Sequence, residues 1–362
     1  MALRSRWWLL ALSLGACTFP PQGSPGDRAT DCPPEDDACA CPLDEVCSAA
    51  APYGLAFVGA ALAEELPVLG SPDYLDRALA HALRRDPVRT FAVGGLQDVR
   101  VDLVRRGAPQ VPFPHPFAVV AADGFAALAL TPPTVRLRAA AAASSTLLRV
   151  ETSTATHELL DRLPVEAAEV VRAEASAYGW VGSGAGPTAL LAGVPGWVAI
   201  RLFGGADERL VDQGARLRTS TTAAPGAGWD VFAVTPGLGG DLAVTVEAGG
   251  QQLPATVAVV ERAERAVWVD PRTGRAPQPQ PAGALTVCVY LQGEGRDLSV
   301  AELRFSAQEP VRLVDVFEPE EAGLPPVALP PGCVTVQRAT PGPATVTVEA
   351  GAFRASETFQ FQ

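Results

Sequence analysis

The sequence predicts an all-β chain: tandem β-sandwich domains preceded by a small disulfide-rich segment. Two observations carry that prediction. The first is alternation. Val99, Val101 and Leu103 alternate with Asp98, Arg100 and Asp102, a period of two that turns one strand face to a core and the other to water. GWVAIRLF near residue 197 and ALTVCVYL near residue 286 repeat the pattern. The second is recurrence. STLLRVETSTATHELLDRLPV begins at residue 145, GDLAVTVEAGGQQLPATVAVV at 240 and GPATVTVEAGAFRASETFQFQ at 342, so the starts lie 95 and 102 residues apart. Each copy reads as strand, turn and strand. Such a hairpin cannot bury its apolar face alone, so each copy requires a second sheet. A repeat of about 90 to 100 residues holds one two-sheet sandwich. The predicted units are 89–175, 176–262 and 263–362. Two sandwiches with a divergent remainder, or another all-β arrangement, are the other readings of the same pattern.

Composition sets the bounds. Of 362 residues 48% are hydrophobic, enough to build cores. Asp and Glu number 40 against 28 basic residues, a net charge of −12, and every basic residue is Arg. A net negative surface opposes contact with DNA, RNA or anionic lipid, so no nucleic-acid partner is expected.

Residues 1–16, MALRSRWWLLALSLGA, place Arg4 and Arg6 before a short apolar run. That run is too short for a permanent span of about 20 residues and has the plan of a secretory signal. It ends in Leu14, Gly15, Ala16 and Cys17, and this tetrad resembles the lipobox of bacterial lipoproteins. The resemblance implies cleavage before Cys17 and acylation of Cys17, with the lipid bilayer as partner, since two or more chains anchor firmly. Thr18, in place of an Asp, implies by the same resemblance the outer membrane. With Cys17 set aside, six cysteines remain, an even number that suits an oxidising compartment.

Residues 17–31 are rich in Pro, Gly and Ser and read as a tether. Residues 32–48 hold Cys32, Cys39, Cys41 and Cys47 among few apolar side chains, so crosslinks must supply the order, in any of three pairings. Zinc is the competing account, but there is no C-x₂-C pair and the segment reads as exported. The adjacent Glu35, Asp36 and Asp37 read as a solvated loop rather than a calcium site. Residues 49–88 are assigned only a short helix in SPDYLDRALAHALRR, with Ser71 or Asp73 as cap and Asp86-Pro87 as stop.

From residue 89 onward strand-like stretches are separated by Gly, Pro or Asp. The run Ala139 to Ala143 lies between TVRLR and TLLRV and reads as strand ends joined by a small-residue loop. Cys288 and Cys333 fall in two strands of the third unit and are predicted to bond, closing its core or tying neighbouring strands. AVGGLQDVRVDLV and GDLAVTVEAGG resemble the bacterial immunoglobulin-like modules of surface lipoproteins, over residues 89–362. The resemblance implies immunoglobulin-like sandwiches. APQVPFPHPF in the first unit departs from it.

Catalytic chemistry has little footing. His81, His115 and His157 form no compact metal signature, so no metal or cofactor is expected. Gly182-Ser183-Gly184 lacks the register of a nucleophile elbow and reads as an interdomain linker. Glu318, Glu320 and Glu321 read as a solvated loop. Trp197 and Trp268 sit in strand patterns and are predicted core; Trp229 is the candidate for partial exposure. The expectation is a non-enzymatic, lipid-anchored stalk at the outer membrane that contacts an envelope or extracellular protein or glycan. A carbohydrate- or peptide-binding module is the alternative, and a hydrolase with scattered partners the third. The junctions near 176–195 and 270–283 are expected to be small spacers between the units.

Overall fold

The computed structural model describes residues 53–60, 62, 88–105, 111–120, 122, 124–128, 132–153, 157–183, 186–226, 228–281, 283–317 and 327–362. The signal segment with Cys17, the tether, the cluster Cys32, Cys39, Cys41 and Cys47, and the predicted helix lie outside the described residues, as do Glu318, Glu320 and Glu321. Among the described residues every regular element is a strand.

Unit 1 contains β1 (Tyr53–Val58), β2 (Phe91–Ala92), β3 (Leu96–Arg105), β4 (Val111–Pro112), β5 (Phe117–Val120), β6 (Phe125–Leu128), β7 (Thr134–Ala139), β8 (Ala143–Thr152) and β9 (Leu159–Ala168). One sheet runs β1-β3-β7-β6, with β4 on β3; the other runs β2-β9-β8-β5. Unit 2 contains β10 (Arg172–Tyr178), β11 (Ala189–Leu191), β12 (Gly196–Phe203), β13 (Arg209–Leu210), β14 (Arg216–Thr219), β15 (Ala223–Pro225), β16 (Val231–Val234), β17 (Gly240–Ala248) and β18 (Gln251–Val260). Its sheets run β10-β12-β16-β15, with β13 on β12, and β14-β17-β18-β11. The two layouts are the same. Labelled A to G without the short β11 and β13, the long strands of unit 2 give A-B-E-D over C-F-G, the immunoglobulin constant-type arrangement.

Unit 3 contains β19 (Arg265–Val269), β20 (Gly283–Gly293), β21 (Arg296–Ser299), β22 (Arg304–Ala307), β23 (Arg312–Val314), β24 (Val316–Phe317), β25 (Val327–Ala328), β26 (Cys333–Arg338), β27 (Gly342–Ala350) and β28 (Phe353–Phe361). Here β20 carries β19 and β26, β26 carries β23, and β22-β27-β28 form the facing sheet. The A-B-E-D over C-F-G order returns.

The recurrent hairpins of the sequence are β8-β9, β17-β18 and β27-β28. The alternating stretches are β3, β12 and β20, the B strands that bury Val99 and Val101, Val198 and Ile200, and Val287 and Val289. Each buried Val or Ile contributes roughly 1.5–3 kcal/mol. Three cores follow, one per unit. The alanine run is a loop, Ala140 to Ala142, between β7 and β8.

Strand pairing decides the membership of 49–88, which the sequence leaves open, and moves the break expected at 175/176. The segment 49–88 supplies β1, which pairs antiparallel with β3 from Tyr53↔Arg105 to Val58↔Arg100 and buries Leu55 and Phe57 in the first core. The break at 175/176 cuts β10, which pairs with β12 along its whole length. The A strand of an immunoglobulin-like unit is joined to its sheet by backbone pairing with B, and neither YGLAFV nor RAEASAY advertises a partner so far along the chain. The solvent face assigned to β3 is corrected as well: Asp102 is buried, with Arg100 Nη2 at 2.7 Å from its Oδ2.

Candidate functional site

The predicted disulfide is present. Cys288 and Cys333 stand directly opposite each other on the adjacent antiparallel strands β20 and β26, Cα atoms 4.0 Å apart. The bond ties neighbours within one sheet and does not cross the main core. The period of two turns Val287 and Val289 into that core and Cys288 to the opposite face, where Val181, Val269 and Tyr290 pack around the bridge.

The units meet at two joints that are not spacers, and the stretch expected as a spacer near 270–283 lies instead within unit 3, between the paired strands β19 and β20. Each joint is a short strand shared by two units. In β2, Phe91 packs in the core of unit 1 and Ala92 in the core of unit 2. One edge of β2 pairs parallel with β9. On the other edge Ala92 N–H donates to Val211 O and Val211 N–H to Thr90 O, each at 3.0 Å. In β11, Leu190 belongs to the core of unit 2, while Ala189 and Leu191 belong to that of unit 3. β11 pairs parallel with β18 on one side and β21 on the other, which fuses sheets of units 2 and 3 into one of nine strands.

Buried polar side chains complete the joints. Asp212 Oδ1 accepts from Leu96 N–H at 3.0 Å and Gly214 N–H at 2.8 Å, while Oδ2 accepts from Gly249 N–H at 2.9 Å, so one carboxylate holds both units. Gln213 Oε1 accepts from Asp98 N–H beside it. A Cβ on Gly249 (φ +57°) would stand 2.4 Å from Val93 O, so only glycine fits that approach. Alongside, Ala60 and Leu62 pack on Val211 and Trp229.

At the second joint Ser299 Oγ accepts from Trp197 N–H at 2.7 Å and donates to Tyr178 O. Asp297 Oδ2 accepts from Ser183 N–H at 2.7 Å, which gives the glycine-serine segment a structural place. The expectation of a small spacer at 176–195 is corrected: the stretch holds β11, paired on both edges. Asp212, Asp297 and Ser299 were not singled out from the sequence. Their only signal was a polar residue in a locally apolar context, as in RLVDQ.

The other candidates lie apart. His115 stands against the Phe113 ring, centroids 5.8 Å apart, and His157 Nδ1 lies 4.0 Å from Glu151 Oε2. Among the described residues no three His, Cys, Asp or Glu side chains group as metal ligands. Trp268 is buried between Phe305 and Phe359. Trp197 and Trp229 are half-buried, the former against Trp180 with ring planes at 83°. Tyr178 meets Trp180 at 73°, so this cluster is edge-to-face and presents no coplanar row for a sugar. A groove of ≈ 550 Å³ runs over β14, β17 and β18, lined by threonines, alanines and Arg218, whose Nε holds Glu247 Oε1 at 2.6 Å.

No family model and no curated protein matches this chain. Solved structures similar to it include the adhesin InvE of Yersinia pseudotuberculosis, at 14% identity and TM-score 0.21, covering 52% of this chain and 58% of that one. Invasin, a bacterial integrin-binding protein, aligns at 13% identity and TM-score 0.22 over 76% of this chain and 58% of its own. The Escherichia coli adhesin FdeC aligns at 13% identity and TM-score 0.21 over 76% and 94%. The chain thus spans little more than half of InvE and invasin. At scores of this size the architecture stands on the sheets and cores themselves.

Proposed function

We propose that this protein is a non-enzymatic stalk of the cell envelope, anchored at the outer membrane through acylated Cys17, that holds a contact surface for an envelope or extracellular protein or glycan away from the bilayer. The observation that supports the reading is the joint. Neighbouring units share β2 and β11 between their cores; Asp212 binds backbone groups of both unit 1 and unit 2, and Ser299 of unit 3 binds the backbone of unit 2. Units joined by shared strands resist bending far better than units on a Gly- and Ser-rich spacer, as a distance-setting role requires. The tetrad Leu14 to Cys17 supplies the anchor in this reading.

The anchor is tested by mass spectrometry of the N-terminal peptide from the membrane fraction. Cys17 is expected as the mature N-terminus, carrying acyl chains, and Cys17→Ala is expected to remain uncleaved or to leave the acylated pool. Processing and fractionation of Cys17→Ala identical to the wild type would overturn it.

A further inference from the structure

The joining mode has two parts. A preceding unit offers the outer edge of its shared strand, and the following unit receives it beside its B strand. Leu202 faces Leu210 in unit 2 and Leu291 faces Leu298 in unit 3; in unit 1 Leu103 faces Val111 at the corresponding place. Leu210 and Leu298 are 0% and 3% exposed under the shared strands, whereas Val111 is 45% exposed. Among the described residues nothing covers the receiving position of unit 1.

Its chemistry differs at the next residue. Where unit 2 has Val211, whose N–H donates to Thr90 O, unit 1 has Pro112. Phe113 N–H donates back to Val101 O at 2.9 Å, so the period of two turns the backbone of Pro112 and Pro114 outward, and neither carries an N–H. At the opposite end, Gln280 N–H donates to Gln360 O at 3.1 Å and Gln362 N–H to Gln280 O at 2.8 Å. Gln280 bridges Phe361 in parallel as Phe91 pairs with Ala167 and Leu190 with Val259. Its neighbours Pro279 and Pro281 therefore turn outward, where unit 1 has Thr90 and Ala92 and unit 2 has Ala189 and Leu191. Both prolines are exposed.

We infer that the alternating prolines of VPFPHPF and PQPQP close the receiving edge of unit 1 and the offering edge of unit 3 against the joining mode used between the units, so that copies of this chain do not continue one another head to tail. A copy docked by that mode would place Pro281 where Ala92 donates and Pro112 where Val211 donates. Both hydrogen bonds of the joint lose their donors. Such contacts are heterologous and non-closing, so without the block they would build filaments. Proline on the exposed side is a way to silence a sheet edge.

The test uses the full chain in detergent, with protein mass read by light scattering over a concentration series. Pro112→Val opens one end and Pro281→Ala the other. Wild type and each single variant are expected to remain monomeric. An equimolar mixture of the two is expected to gain a species of ~2-fold mass, and the double variant longer ones. Head-to-tail oligomers of the wild type would overturn the inference. So would a mixture and double variant that stay at monomer mass with wild-type melting. Pro112→Thr with Pro281→Thr carries the same test should the first pair melt early.

Discussion

Replacing Asp212 with alanine asks whether units 1 and 2 melt as one body. The side chain is 4% exposed and its two oxygens take three backbone N–H groups, of which Leu96 belongs to unit 1 and Gly249 and Gly214 to unit 2. Alanine leaves those donors without their acceptor, and each buried donor so stranded costs about 1–3 kcal/mol. Counting the Leu96 and Gly249 donors gives about 4 kcal/mol as a central figure. For a body of two units, with roughly 2–4 °C per kcal/mol, the melting transition falls by about 8–16 °C. For a single unit melting alone the fall is about twice that. Calorimetry separates the cases, and hydrogen exchange at Leu96 and Gly249 localises the effect: both amides should lose protection together. Asp212→Asn keeps an acceptor for one side and turns an amide N–H₂ toward the other, so it should cost roughly a third to a half as much. A shift under about 2 °C in the alanine variant, with both amides still protected, would refute the idea that this carboxylate holds the joint.

Two further outcomes are expected. Gly196→Ala places a Cβ 2.6 Å from Ser299 O and 2.8 Å from Leu190 Cδ2, so it should destabilise the second joint by about 1–3 kcal/mol and lower the urea midpoint of units 2 and 3; an unchanged midpoint counts against close packing there. Burial, and then the neighbouring Asp230 carboxylate, push the Tyr178 phenol up from its ordinary 10.0, so the folded state holds its proton more tightly than the unfolded state. Its contribution is fully present below about pH 10 and is lost as pH rises above it, because the unfolded chain then releases the proton first. Tyr178→Phe should therefore flatten the alkaline fall in melting temperature between about pH 9 and pH 11, and equal slopes for the two proteins would remove the argument.

The strand pattern was legible because its causes are local. Val99 and Val101, Val198 and Ile200, and Val287 and Val289 announce B strands by a period of two that any sheet imposes. The hairpins β8-β9, β17-β18 and β27-β28 are contiguous in sequence and need no distant partner to be seen. The glycine pairs of AVGGLQ and VEAGGQQ were visible as turns, yet their second role was hidden: Gly94 and Gly249 touch, and the approach joins two units. The same holds for VPFPHPF, which reads as clutter in one unit until Val111 is set beside Leu210 and Leu298.

Sequence alone determined an all-β chain with three strand-rich repeats and the pairing of Cys288 with Cys333. Only the tertiary structure decided which strand belongs to which unit, and that the units share strands instead of hanging on linkers. The reason is physical. Alternation reports which face of a strand is buried, but β2 and β11 are so short, and apolar on both faces, that no period can be read from them. Their two faces enter two different cores, and their two edges find partners as distant as Ala167 and Val211 for Phe91. Backbone hydrogen bonding of that range leaves no mark on neighbouring residues, because every non-proline residue carries the same donor and acceptor. Where proline removes the donor, as at Pro112, Pro279 and Pro281, the mark is visible in the sequence, but what it forbids is defined only by the joint it fails to make.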